Sequence, residues 1–153
     1  MVQLDQTDLK ILRALQNNAK LTTKELAEAV DLSTTPVFER LKRMERQGVI
    51  KKYVAILDPA KIGAGFMVFC NVKMRQMNQD IANNFERRIQ EFPEVTECYN
   101  TSGNFDFLLK IYVKDMKEYR EFILNKLGTV EYLGSLESTF VMNEVKHEYG
   151  VNV

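Results

Sequence analysis

Ser33, Thr34, Thr35, Glu39, Arg40, Lys42, Arg43 and Arg46 crowd into one short stretch, residues 31–53, that reads DLSTTPVFERLKRMERQGVIKKY. Hydroxyls and fixed cations at this density point to polyanion binding. Guanidinium and ammonium groups pair with phosphate, and hydroxyls and amides at a helix start donate to it. In a helix, Val37, Leu41 and Met44 recur at i, i+4 and i+7 and face a core. At about 100° per residue the opposite side carries Thr35, Glu39, Lys42, Arg43 and Arg46, with Phe38 and Arg40 flanking. Pro36 fits the first turn, where its missing N–H costs nothing. Gly48 can end the helix in a left-handed conformation. Glu39 can accept from a cytosine amine or steer Arg43 one turn on. Which of Ser33, Thr34 and Thr35 caps the helix is left open by the sequence.

Other chemistries find little support. His147 is the only histidine, so a single chain builds neither a catalytic His pair nor a His-rich metal site. No P-loop, GxGxxG or nucleophile elbow is present, and no cofactor is expected. Cys70 and Cys98 form no CxxC pair and lie in apolar runs, as expected of two buried thiols in a reducing cytosol. The sequence shows no membrane span and no export signal at MVQLDQTDLK.

The chain has 153 residues and a net charge of +0, but its halves differ. Residues 1–57 hold ten basic and seven acidic side chains, a balance of +3, and residues 58–153 hold eleven and fourteen, a balance of −3. Residues 35–52 alone hold six and two, a balance of +4. One half is suited to meet a polyanion and the other is not.

The elements that must position these groups follow from period and caps. Asp5 caps a helix carrying Leu9, Ile11, Leu12 and Leu15, and Thr22-x-x-Glu25 is a capping box for a short second helix. Asp31-Leu32-Ser33 is the turn before the basic third helix, which together make a helix-turn-helix whose third helix lies in the DNA major groove. Residues 49–57 read as an extended segment, and Gly63-Ala64-Gly65 as a boundary between units. Beyond it the period changes. FMVFCNVKMR (66–75) is a strand; Asn78 caps a helix with Ile81, Phe85 and Ile89; VTECYNT (95–101) and FDFLLKIYV (105–113) are strands around a Ser102-Gly103-Asn104 turn. Asp115-x-x-Glu118 starts a helix with Tyr119, Phe122, Ile123 and Leu127, and residues 135–147 supply a last strand. That βαββαβ order is the ferredoxin-like arrangement, so the fold class is α+β. The helices can cover only one face of this sheet, and the second apolar face implies pairing of two sheets in a homodimer.

The residues LDQTDLKILRALQNNAKLTTKELAEAVDLSTTPVFERLKRMERQGVIKKYVAILDPAKIG (4–63), with SGNFDFLL at 102–109 and STFVMNEVK at 138–146, resemble the Lrp/AsnC family of leucine-responsive, feast/famine transcriptional regulators over essentially the whole chain. The resemblance implies a winged-type helix-turn-helix domain with a linker strand over residues 1–62 and a ferredoxin-like effector-binding and oligomerisation domain over 63–153. It implies double-stranded DNA as partner, a homodimer assembling further, commonly to an octamer, and a small effector, usually an amino acid, bound between dimers. It places the effector pocket at Ser102, Gly103, Asn104, Phe105 and Asp106. Backbone amides freed by Gly103 can hold a carboxylate, and Asp106 can receive an ammonium group. Alternatively this is only a β-turn with Asp106 pairing locally. Relatives often carry Thr-x-Ser where this chain has Leu136-Glu137-Ser138; Ser138 matches, and Leu136 replaces a hydroxyl with an isobutyl group. The expectation is a cytoplasmic, nucleoid-associated regulator and not an enzyme. The alternative is a chromosome-organising protein that needs no effector.

Overall fold

A computed structural model describes residues 2–153. Its first helices begin where their caps sit. Helix α1 (Gln6–Asn17) opens on Asp5, whose carboxylate accepts the Asp8 N–H while the Asp8 carboxylate accepts the Asp5 N–H. Helix α2 (Thr23–Ala29) opens on the Thr22–Glu25 box. These reciprocal bonds satisfy orphan donors of the first turn. Asp31 takes a left-handed φ of 57°, and the Leu32 N–H returns to the Ala27 carbonyl at 3.0 Å. That reverses the chain into α3 (Thr34–Arg46), whose N-cap is Ser33. Gly48, with φ of 70°, ends it. Ile11, Leu12, Leu15, Leu26, Ala27, Val30, Val37 and Met44 close one core.

The chain divides into two compact units, one running up to Ile56 together with Lys146–Val153, the other Leu57–Val145. The expected boundary at Gly63 is therefore displaced, and the C-terminal residues join the first unit instead of the second. There the Val151 N–H donates to Gln16 Oε1 at 2.7 Å, Arg13 Nε donates to the Val153 main-chain oxygen at 2.5 Å, and Val153 packs on the helical core. Of the segment expected as a linker strand, residues 51–58 pair in no ladder within one chain.

The second unit holds β1 (Phe66–Met74), α4 (Gln79–Ile89), β2 (Val95–Asn100), β3 (Phe107–Val113), α5 (Met116–Asn125) and β4 (Leu133–Phe140). The strands are antiparallel in the order β2-β3-β1-β4. Asn78 and Asp115 cap α4 and α5 as expected. Val68, Cys70, Val72, Phe107, Leu109 and Ile111 meet Phe85, Ile89 and Phe122 in the core, with Phe85 stacked on Phe107. By strand alternation, Met67, Phe69, Leu108, Lys110 and Tyr112 lie on the other face. Three expectations change. The third strand starts at Phe107, leaving Phe105 and Asp106 in the preceding turn. The last strand stops at Phe140, not His147. Cys98 is exposed, not buried, while Cys70 is buried and its thiol is pushed up mainly by that burial.

Candidate nucleic-acid interface and effector site

Helix α3 is held by its inward stripe. Val37 and Met44 are wholly buried, which turns Thr34, Thr35, Phe38, Glu39, Lys42 and Arg46 to the surface. Pro36, Phe38, Glu39, Lys42 and Arg46 line an open groove along this helix together with Arg40 and Arg43. Ser33 makes no side-chain bond to the helix, so the first amides of α3 carry no side-chain cap. A helix start in that state, flanked by hydroxyls, is suited to phosphate. Lys42 is half-exposed, pairs with Glu45 at 2.8 Å and lies 5.8 Å from the Phe38 ring centroid. Glu45 also accepts from the Tyr53 hydroxyl at 3.0 Å, and burial beside that carboxylate pushes the Tyr53 phenol up to about 12.

Two of the arginines expected to meet DNA, Arg43 on the outward face and Arg40 on its flank, do something else. Arg40 Nη1 lies 2.6 Å from Asp5 Oδ2 and 2.8 Å from Asp8 Oδ1. Arg43 Nη2 lies 2.5 Å from Asp8 Oδ2. Both guanidinium groups are thereby turned back onto the start of α1. Asp8, only 1% exposed, is a site residue that helix period and charge pattern did not single out. Its signal was present: Asp8 is in phase with Ile11, Leu12 and Leu15, so it is a charge on a buried stripe, and a buried charge demands partners.

In the second unit the turn before β3 is tied to the end of β1. Asp106 Oδ2 accepts the Met74 N–H at 2.8 Å and Asp106 Oδ1 accepts from Lys73 Nζ at 3.1 Å. The Met74 N–H holds the carboxyl below the usual carboxylate range, with Lys73 adding to it. Asp106 is thus paired within the subunit, to residues more than thirty positions earlier and not inside its own turn. Asn100 and Thr101 close the loop further, the Thr101 hydroxyl donating to the Phe105 carbonyl at 3.1 Å. Gly103 has φ of 114°, and Ser102 and Asn104 are exposed.

Leu136 and Ser138 do not join this turn within one chain. They stand opposite Val72 and Cys70 on β4, across β1 from β3, and share the helix-facing side of the sheet. Leu136 packs against the core. The Ser138 hydroxyl sits 2.6 Å from the Tyr119 hydroxyl, and burial pushes that phenol well up. Asp106, by contrast, lies in the turn before β3 and reaches the end of β1. Among the described residues no cluster of three His, Cys, Asp or Glu side chains could hold a metal ion, and no helix is long and apolar enough to cross a membrane.

Comparison with known proteins matches both units. Residues 4–51 fit the family model for a winged helix-turn-helix DNA-binding domain, and residues 67–151 fit that for the Lrp/AsnC ligand binding domain. The chain is 35% identical over 145 residues to the Bkd operon transcriptional regulator of Pseudomonas aeruginosa, covering 95% of each. It is 40% identical over 143 residues to the leucine-responsive regulatory protein of Haemophilus influenzae, covering 94% of this chain and 86% of that protein. Among solved structures, a Neisseria meningitidis transcriptional regulator in complex with L-Met superposes with a TM-score of 0.94 at 35% identity, over 98% of this chain and 97% of that one.

Proposed function

The chain belongs to the Lrp/AsnC family of DNA-binding transcriptional regulators, and on that premise we propose that α3 enters the DNA major groove while an amino acid acts as effector on the second unit. The observation that carries the DNA reading is the outward face of α3. Thr34, Thr35, Glu39, Lys42 and Arg46 are exposed together on a helix that a tight turn presents. In our reading Lys42 and Arg46 meet phosphates or guanine edges, Glu39 is aimed at a cytosine amine, and Ser33, Thr34 and Thr35 anchor a phosphate at the helix start. The related Neisseria regulator in complex with L-Met supports an amino acid as effector. The open sheet face supports a homodimer, with assembly to an octamer as the further step and the cytoplasm, associated with the nucleoid, as its place.

The test is the salt dependence of binding to a duplex selected by the protein from a random pool. Removing a cation that neutralises one phosphate should lower the slope of log affinity against log salt by about 0.9. Lys42→Ala and Arg46→Ala are each expected to do so. Unchanged slopes in both variants would remove α3 from the interface.

A second reading is favoured by one observation: Asp106, Ser138 and Leu136 are all engaged within the subunit. A protein organising DNA without an effector needs no free polar groups there. Thermal shift against the proteinogenic amino acids separates the two, because a ligand at about 100 times its Kd stabilises by roughly 2.7 kcal/mol. In the second reading no amino acid shifts the transition.

A further inference from the structure

Asp8 joins the start of α1 to the middle of α3. Its Oδ1 accepts from Arg40 at 2.8 Å; its Oδ2 accepts from Arg43 at 2.5 Å and from the Asp5 N–H at 3.0 Å. Asp5 returns a second carboxylate oxygen to Arg40 at 2.6 Å. Two carboxylates and two guanidinium groups thus form one neutral network, and the two arginines are three residues apart on the same helix. The Arg43 Nε is buried and makes no hydrogen bond, so Nη2 alone ties that head to Asp8.

Apolar contact alone does not fix a helix finely. The hydrophobic effect is non-directional, so the stripe of Val37, Leu41 and Met44 tolerates small rotations and slides of α3 on the core. A guanidinium is a planar donor with fixed geometry, and two of them on one carboxylate restrain both motions. We propose that Asp8 is a positioning residue for DNA recognition: it sets the rotation and depth of α3 through Arg40 and Arg43, which serve as struts and not as DNA contacts. This rests on the reading of α3 as the groove helix.

The prediction has an unusual sign. Electrostatics alone says that removing a carboxylate beside a polyanion tightens binding to any DNA. Positioning says that binding to the preferred sequence weakens. Fluorescence anisotropy over a salt series, with the pool-selected duplex and a scrambled duplex of equal composition, reads both. Asp8→Asn and Arg43→Gln should each weaken the selected duplex about tenfold, the value of one misplaced base pairing, with scrambled binding no weaker and the slope not reduced. Arg43→Lys, which keeps the charge but replaces the planar head that reaches Asp8 through Nη2, should weaken the selected duplex too, and it decides the matter if Asp8→Asn does not fold by circular dichroism.

Three results overturn the proposal alone. They are a slope reduced by about 0.9 in Arg43→Gln, which makes Arg43 a phosphate ligand; wild-type affinity in both Arg43 variants; and equal tightening of both duplexes by Asp8→Asn. Unchanged slopes in Lys42→Ala and Arg46→Ala overturn the reading of α3 and the positioning role with it. So does a wild type that draws no preferred sequence from the pool.

Discussion

Replacing Asp106 by alanine separates a structural carboxylate from one that binds a ligand. The β1–β4 register shifts between Lys73 and Met74, and this irregularity accompanies the Met74 N–H turned to Asp106 Oδ2. Met74 is 4% exposed, so removal of the carboxylate leaves a buried backbone donor without its partner. An unsatisfied buried donor costs about 1–3 kcal/mol. The Lys73 pair, with Lys73 44% exposed, adds at most about 1 kcal/mol. Together they predict a destabilisation of about 1–4 kcal/mol in the unliganded protein. Urea unfolding at one fixed protein concentration reads it as a lower midpoint at unchanged m, the fixed concentration being needed because association contributes to stability. A thermal-shift scan with amino acids runs beside it. An unliganded unfolding free energy within about 0.5 kcal/mol of wild type, together with disappearance of the ligand shift, would refute the reasoning. It would make Asp106 a ligand group whose bond to Met74 is incidental.

Acid should weaken the fold through several carboxylates. Asp106 is depressed by the Met74 N–H and Lys73, Asp5 by the Asp8 N–H and Arg40, Glu25 by the Thr22 N–H and hydroxyl, and Glu45 by Lys42 and Tyr53. A depressed folded-state value favours the folded chain above the unfolded value and not below it. Unfolding monitored against pH should therefore show stability falling as pH drops through 4.5 for Glu25 and Glu45 and 3.8 for Asp106 and Asp5, toward the lower folded values, and Asp106→Ala should flatten part of that fall. A profile level down to about pH 3 would contradict it. On the open sheet face, Phe69→Asp places a charge where two sheets would meet. Light scattering should then report monomer where the wild type is dimer or larger, with the circular dichroism spectrum retained, and an unchanged mass would exclude that face from the interface.

The legible part of the fold is the part specified within four residues. The caps at Asp5, Thr22, Asn78 and Asp115 all form as the sequence predicts, because donor and acceptor lie in one turn. The inward stripes of α3, α4 and β1 were legible for the same reason: period is local, and burial follows period. The strand order followed from the pattern of elements, since few topologies connect βαββαβ. Phe140 as the end of β4 did not, because an extended segment becomes a strand only where a neighbour supplies hydrogen bonds.

The sequence by itself determined two units of opposite charge, a basic helix after a tight turn, and a split βαβ sheet. Tertiary structure decided what the charged and polar side chains do there. Arg40 and Arg43 have the right types and spacing for DNA, but their partners lie more than thirty residues earlier in the chain, on Asp5 and Asp8. Asp106 finds Met74 and Lys73 at comparable separation, and Ser138 finds Tyr119. A long or polar side chain is satisfied by whichever partner folding brings near, and periodicity carries no record of that partner. The C-terminal residues join the helical unit for the same reason: Gln16 and Arg13 are neighbours of Val151 and Val153 only once the chain has folded.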